Sequence, residues 1–281
     1  VVVSGSQYGI SGIGRVVYGS GARLANAGWI NIAPANLGAK QEMTLKDQIA
    51  YIPNNDSSLV GDLNYDPTVY GDWYQWGREK DGHQRRSTIT TYSSHLKSVA
   101  GIGYHSDSLD FNNGQIKMAD ISDKFIQRDA GTNDWRQYPE TADNSAISPA
   151  NDWTWGNPVK EITDLDPCSE LNSKDTTWRV PTQAEWAQIQ SNNTWVWSDG
   201  NTKGYEIKPG GANKPTALFL PAAGHRFRNG GGQSNVGANG YYWSSMVTST
   251  SSYNLLFTSG SISAANASPR SNGYTVRCVS E

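Results

Sequence analysis

The sequence predicts an α+β fold built from short antiparallel strands, about two helices and long irregular loops. Apolar and polar residues alternate only over short runs, Gly and Asn-rich turns separate those runs, and one segment has helical spacing behind a capping motif. The chain has 281 residues, of which 36% are hydrophobic, so it is long enough to bury a core and still carries much loop.

The first half of the chain contains few regular elements. Residues 1–24 are rich in Gly and Ser and are predicted to form a strand or linker segment, ahead of a domain over 25–281. A strand is expected at 29–37, broken at Pro34, and an amphipathic helix at 40–52. Residues 70–76 are aromatic and strand-like, and residues of about 88–165 are predicted to be an irregular insertion.

A basic loop follows the aromatic strand. Lys80, Arg85 and Arg86 lie in it within a few residues of one another. They could form an anion-binding patch or an ordinary solvated loop.

The clearest local element begins after Trp178. Thr182 is a good N-cap, and Glu185 follows three residues later, which is the pattern of a capping box. Trp186 and Ile189 belong to the apolar stripe of the helix that this motif starts. Strands are predicted after it, at 194–198, 204–209, 217–221, 241–245, 253–258 and 274–279.

The segment from 225 to 275 has an unusual composition. It contains no Lys, Asp or Glu, and its charges are Arg226, Arg228 and Arg270. Ser, Gly, Asn, Thr, Ala and Tyr make up most of the rest, as in antibody paratopes, where Tyr supplies rigid contact area and small polar residues supply adaptable hydrogen bonds. Because catalytic sites usually contain titratable groups, this segment predicts binding and no enzyme activity.

Net charge and hydropathy exclude some partners. The net charge is −3, with +3 on residues 225–281 and −6 on the remainder, which argues against a nucleic-acid partner. No apolar run is long enough to insert into a membrane. The chain begins at Val1, not Met, which is compatible with a removed leader, anchor or preceding domain.

The cysteines and acidic residues leave two questions open. Cys168 and Cys278 could form one disulfide, tying the end of the chain to its middle, or remain two buried free thiols. No cofactor is predicted, and the histidines lack metal-ligand spacing. Whether calcium is bound stays open, with candidates by residue type alone at Asp152, Asp164, Asp166 and Asp199.

Several strings occur in an order that resembles a known family. They are DPC at 166–168, WRVPTQAEW at 178–186, ALFLPAAGHR at 217–226, GANGYYWSS at 237–245 and NGYTVRCV at 272–279. This series resembles the Fibrobacter-type major paralogous domain of Bacteroidetes surface proteins, which is similar to C-type lectins and to the formylglycine-generating enzyme superfamily. The resemblance implies a C-type lectin-like fold over residues 25–281 and a Cys168–Cys278 disulfide. The stretch CSELNSKDTTW departs from the family's short CPxGW.

The segment 225–275 also resembles the variable regions that diversity-generating retroelements produce. In those regions, mutagenesis at template adenines converts Asn codons to many other residues but not to Lys or Glu. The positions that look like altered Asn, and are therefore the predicted ligand-binding residues, are His225, Phe227, Arg228, Ser234, Ala238, Tyr241, Thr248, Ser249, Ser251, Leu256, Thr258, Ser261, Ser263, Ala267 and Ser268. The positions that fit the invariant framework are Trp243, Asn254, Phe257, Gly260, Arg270 and Gly273.

These resemblances imply a receptor-binding protein at a cell surface or at the tip of a phage tail fibre. Its partner would be a surface protein or glycan of another cell, and its oligomeric state stays open. One alternative is a fixed surface lectin or adhesin, in which Trp195 and Trp197, on one strand face, could stack on a sugar or pack in the core. A remote alternative is a formylglycine-generating-type oxidase, which needs reactive cysteines.

Overall fold

The computed structural model describes residues 10–11, 15–16, 21–23, 29–33, 35–39, 70–78, 80, 83–84, 86, 125, 166–200, 202–214, 216–229, 231–248 and 251–280. Over these residues the protein consists mostly of antiparallel strands in small sheets, with one α-helix described in full. The predicted helix at 40–52 lies outside the described residues, as does the insertion at 88–165 except for Phe125.

The first strands and the helices precede the main sheets. The early strands are β1 (Ile10–Ser11), β2 (Arg15–Val16), β3 (Gly21–Arg23), β4 (Trp29–Ile32) and β5 (Tyr74–Gln75). A 3₁₀ helix (Pro167–Leu171), β6 (Trp178–Arg179) and the helix α1 (Gln183–Asn192) follow.

The later strands occupy most of the last ninety residues. They are β7 (Thr194–Ser198), β8 (Gly204–Lys208), β9 (Leu218–Pro221), β10 (His225–Arg226), β11 (Gln233–Ser234), β12 (Gly240–Thr248), β13 (Ser251–Thr258), β14 (Ser261–Pro269), β15 (Gly273–Tyr274) and β16 (Val279–Ser280). Their sheets have the orders β7-β8-β9, β12-β13-β14, β11-β10-β15-β5 and β3-β4-β16-β6, and β1 pairs with β2. β3, from the segment 1–24, thus pairs with β4 of the main domain.

The predicted capping box at the start of α1 is confirmed. The Glu185 amide donates to Thr182 Oγ1 over 3.1 Å, and the Thr182 amide donates to Glu185 Oε2 over 2.7 Å. Both guanidinium NH₂ groups of Arg179 also bind the Glu185 carboxylate, over 2.8 and 2.7 Å. Burial raises the pKa of Glu185, but the bonds from Arg179 and Thr182 outweigh burial, so the pKa lies below its ordinary value.

α1 packs its apolar side into the main core. Trp186 and Ile189 are fully buried there, among side chains from β8, β9, β12 and β13. Trp195 and Trp197 are half-buried and meet the ring of Tyr205 edge-on, with centroids 5.6 and 5.1 Å away. They therefore pack against the core, which is one of the two uses that the sequence left open for them.

A disulfide joins Cys168 to Cys278, with Cα atoms 5.6 Å apart. Both residues are fully buried, so neither is a free thiol. The bond ties the 3₁₀ helix to the last strand, β16, across 110 residues.

The strand predicted at 274–279 is wrong as one continuous element. β15 pairs with β5 and β10, whereas β16 pairs with β4 and β6, so the chain changes sheets between them. Arg277 lies in this crossing, fully buried, and donates to the carbonyls of Ala33 and Phe219 and to Asn36 Oδ1. These acceptors come from separate parts of the fold, and Arg277 binds them in the non-strand residues between β15 and β16.

Two of the three basic residues of the loop, Lys80 and Arg86, bind other parts of the protein. Arg86 is buried, with its guanidinium 3.5 Å from the centroid of the Trp73 ring, and it donates to the Gly71 carbonyl. Lys80 forms an ion pair with Glu170 over 3.1 Å, and Arg85 lies outside the described residues. Over the described part of the chain, no helix has the length and apolar character needed to cross a membrane.

Candidate ligand-binding face

Five predicted ligand-binding residues meet on one side of the sheet β12-β13-β14. Tyr241 of β12 lies opposite Leu256 of β13, which lies opposite Ser263 of β14. Thr258 and Ser261 form the next cross-strand pair. Because residues directly opposite each other point to the same side of a sheet, and residues two apart do likewise, these five side chains share one face. We call them the outer face.

The other side of the same sheet belongs to the core. Tyr242, Leu255 and Phe257 point there, and each is fully buried. On the outer face, by contrast, Ser261 and Ser263 are exposed and the other three residues are half-buried. At this end of the sheet, the outer-face residues are therefore the ones that a ligand can reach.

Aromatic rings border the outer face at Tyr241. The His225 ring lies 4.5 Å from the Tyr241 ring, 5.7 Å from Tyr274 and 6.1 Å from Phe227, measured between centroids. Phe227 is 43% exposed, which is high for a large apolar side chain. We call His225, Phe227, Tyr241 and Tyr274 the aromatic corner, and three of these four residues come from the predicted set.

Two asparagines hold the Tyr241 hydroxyl in place. Asn235 and Asn239 donate to it over 3.2 and 3.1 Å. Asn235 has a φ of 58°, a left-handed conformation that Asn tolerates better than most residues. Sequence reasoning missed both asparagines and also Tyr274, although each is close in sequence to a predicted position.

The titratable groups of the corner hold one charge state near neutral pH. Burial lowers the pKa of His225 to about 4, so its imidazole is neutral, and Nδ1 has no partner among the described residues. Burial raises the pKa of Tyr274 to about 12. Burial also lowers the pKa of Arg228, an effect that Tyr274 opposes, but a guanidinium remains cationic. Arg228 is half-buried, whereas Arg226 and Arg270 are buried, so it supplies the accessible positive charge here.

Three predicted residues point away from the outer face. The extra residues lie in β12 and β14, so positions two apart along β13 keep one side, and Ser251 and Tyr253 share the side of Leu255. Thr248 pairs with Ser251 and Ala267 pairs with Tyr253, so both also point to that side. The extra residue of β14 between Ser263 and Asn266 moves Ala267 out of the alternation that starts at Ser263. Thr248 and Ser251 lie an odd number of residues from Tyr241 and Leu256, so alternation alone turns them away.

The remaining predicted positions are scattered. Ser268 is buried opposite Ser252, and Ser234 is the cross-strand partner of His225. Ala238 is exposed in the turn before β12, and Ser249 lies outside the described residues. The predicted set therefore does not form one continuous face.

The predicted framework positions are mostly buried. Trp243, Asn254, Phe257 and Arg270 are fully buried. A Cβ on Gly273 would lie 2.8 Å from the Phe125 ring, so no larger residue fits without movement. Gly260 is the exception, since it lies exposed in the β13–β14 turn with open space around it.

The candidate calcium ligands serve other roles. Asp166 uses one carboxylate oxygen to accept from the Cys168 amide over 2.8 Å and the other to accept from the Val180 amide over 2.9 Å. Asp199 accepts from the Trp197 indole over 2.7 Å. Asp152 and Asp164 lie outside the described residues, and over the described ranges no three His, Cys, Asp or Glu side chains group as metal ligands would.

Comparison with known proteins assigns no relative. No family model, curated protein or solved structure matches the chain. Function must therefore be inferred from the geometry of the outer face and the aromatic corner.

Proposed function

We propose that this chain is a non-catalytic ligand-binding protein that presents the outer face and the aromatic corner on a C-type lectin-like scaffold. The ligand is a surface protein or glycan of another cell, and the residues that contact it are diversified by a retroelement. The observation that carries the proposal is the strand register, which aligns Tyr241 with Leu256 and Ser263, and Thr258 with Ser261. All five look like altered Asn codons.

The contrast between varied and framework positions supports diversification. Exposed and half-buried side chains of the outer face can change with little effect on stability, whereas a change at a buried position is costly. Trp243 donates its indole N–H to the Tyr74 carbonyl over 2.7 Å, and Asn254 and Asn266 bind each other. Trp243 and Asn254, which would have to stay constant, are thus both held by internal hydrogen bonds.

The chemistry of the corner suits recognition. Aromatic residues and Arg contribute most to the hot spots of binding interfaces, and Phe227, Tyr241 and Arg228 are of these types. The Ser and Thr hydroxyls of the outer face can adapt to different partners. A neutral His225 and a protonated Tyr274 contribute ring surface here and no proton transfer at neutral pH.

The disulfide supports an extracellular or cell-surface location, including the tip of a phage tail fibre. Disulfides persist mainly in oxidising compartments. Both cysteines of the chain are used in this bond, which leaves no free thiol for an oxidase of the formylglycine-generating type.

Sequencing of the locus and its flanks in several isolates tests the proposal. We expect a near-copy of the segment encoding residues 225–275 beside a reverse-transcriptase gene. Differences between isolates should fall at template adenines, in the codons for the outer face and for His225, Phe227 and Arg228.

The codons for Trp243, Asn254 and Phe257 serve as internal controls and should be constant. A constant segment with no near-copy would overturn diversification and leave a fixed surface lectin or adhesin. Differences spread evenly over buried and exposed codons would also contradict the proposal.

A further inference from the structure

β14 is an edge strand of the sheet that carries the outer face. It runs from Ser261 to Pro269 and carries no charged residue. Its pairing with β13 is interrupted between Asn254 and Leu256, where β14 contains one extra residue. Edge strands of this kind are usually protected by charges, by short length or by a covering element.

A side chain of α1 covers this edge at the bulge. Gln190 Nε2 donates to the Ile262 carbonyl over 3.0 Å, and Gln190 Oε1 accepts from the Ala264 amide over 3.1 Å. The amide group thus replaces the donor and acceptor that a neighbouring strand would provide. It does so where the ladder to β13 is irregular.

The two residues that Gln190 binds face the core. Ala264 is buried, and Ile262 packs against the core cluster. Two outer-face residues adjoin them in the sequence: Ser263 lies between Ile262 and Ala264, and Ser261 precedes Ile262. Because these two hydrogen bonds of Gln190 go to main-chain atoms, they do not depend on which side chains occupy the two serine positions.

We infer that Gln190 is a positioning residue that clamps the main chain of β14, so that outer-face side chains can change without displacing the strand. Two tryptophans bind main-chain carbonyls of β12, at the other edge of the same sheet. Trp76 and Trp186 donate their indole N–H groups to the carbonyls of Ser244 and Trp243, over 2.8 and 3.2 Å. The benefit of this clamp, tolerance of varied side chains, rests on the proposed function. The clamp itself does not depend on that function.

Amide hydrogen exchange of the intact chain, followed by NMR without any ligand, tests the clamp. We expect Gln190→Ala to accelerate exchange of the Ala264 amide by about five- to a hundredfold, the effect of losing two hydrogen bonds. The Leu220 amide, in the core strand β9, should exchange at an unchanged rate, which separates local release of β14 from global destabilisation.

Two further variants sharpen the comparison. Gln183→Ala makes the same replacement two turns earlier on α1 and should leave Ala264 unchanged, since Ala favours the helix. Gln190→Glu keeps an acceptor for the Ala264 amide but places a carboxylate oxygen against the Ile262 carbonyl, so it should accelerate exchange to an intermediate degree. If Gln190→Ala does not fold, Gln190→Glu serves as the test variant.

The tolerance of β14 to larger outer-face side chains is measured with the double replacement Ser261→Tyr and Ser263→Tyr. With Gln190 intact, Ala264 exchange should change by less than about threefold, as for ordinary surface substitutions. With Gln190→Ala, the same replacements should accelerate it further. Equal Ala264 exchange in Gln190→Ala and Gln183→Ala, or strong acceleration by the tyrosines with Gln190 intact, would overturn the inference and leave the sequencing test of the proposed function unaffected.

Discussion

Burial lowers the pKa of two basic side chains of this protein, Arg277 and His225. Arg277 is fully buried, and burial lowers its pKa to about 10, yet its donors are used by carbonyls and an amide oxygen. Burial also lowers the pKa of His225, to about 4, so this imidazole is uncharged near neutral pH. Neither state is visible in the sequence, because burial depends on residues far away in the chain.

The neutral state of His225 predicts a pH dependence of stability. Its folded pKa of about 4 lies below the unfolded value of 6.5, so from pH 6.5 down to 4 the unfolded chain binds a proton that the folded chain does not. The free energy of unfolding is thus not lowered by His225 above pH 6.5, and the titration of this residue lowers it by about 2–3 kcal/mol between pH 7 and pH 4.5. His225→Phe should remove this part of the slope in urea unfolding.

The cross-strand partner of His225 supplies a control. Ser234→Ala changes the same pair of strands without changing a titratable group and should keep the wild-type slope. A His225→Phe profile parallel to wild type from pH 7 to 4.5 would show that His225 titrates normally in the folded protein.

At the level of elements, the helix start and β7 formed where the sequence places them, whereas two other predicted strands did not keep their bounds. α1 begins at its capping box, whose partners are three residues apart. The strand predicted at 70–76 is reduced to β5, and the one at 274–279 is divided between two sheets. Strand bounds depend on pairing partners, which come from distant parts of the chain.

The start of α1 gives a prediction at this scale. Glu185→Gln should destabilise the protein by about 1–2 kcal/mol at pH 7, since it weakens the capping box and removes the charge that Arg179 binds. The folded pKa of Glu185 is lowered, so its stabilisation is complete above the unfolded value of 4.5 and is lost as pH falls through the folded pKa.

The difference between Glu185→Gln and wild type should therefore disappear in strong acid, as measured by urea unfolding at several pH values. Thr182→Ser retains the capping hydroxyl and should remain close to wild type at each pH. A Glu185→Gln protein as stable as wild type at pH 7 would contradict this account of the helix start.

For the whole molecule, long-range bonds join the end of the chain to its earlier parts. β16 lies between β4 and β6, and Arg277 joins residues 33–36 to β9. The Cys168–Cys278 bond closes the same region. The outer face depends on this arrangement, because Thr275, just before the crossing, pairs with Tyr242 of β12.

Removing the disulfide should lower the free energy of unfolding by about 3–5 kcal/mol, because the bond restricts a long loop in the unfolded chain. The measurement is urea unfolding of the double variant Cys168→Ala and Cys278→Ala, compared with the oxidised and reduced wild-type protein. Reduced wild type and the double variant should agree. An unfolding midpoint that reduction does not change would contradict a structural role for the bond.

The sequence by itself determined the start of α1, the positions of most strands after it, the uncharged character of residues 225–275 and the two cysteines available for a disulfide. These features depend on neighbours within a few residues or on composition. Tertiary structure alone decided which predicted positions share the outer face, that Ala267 points elsewhere, and that Arg86 and His225 are buried. The physical reason is that facing and burial depend on register, and the one extra residue in the β14 bulge is enough to reverse the side to which Ala267 points.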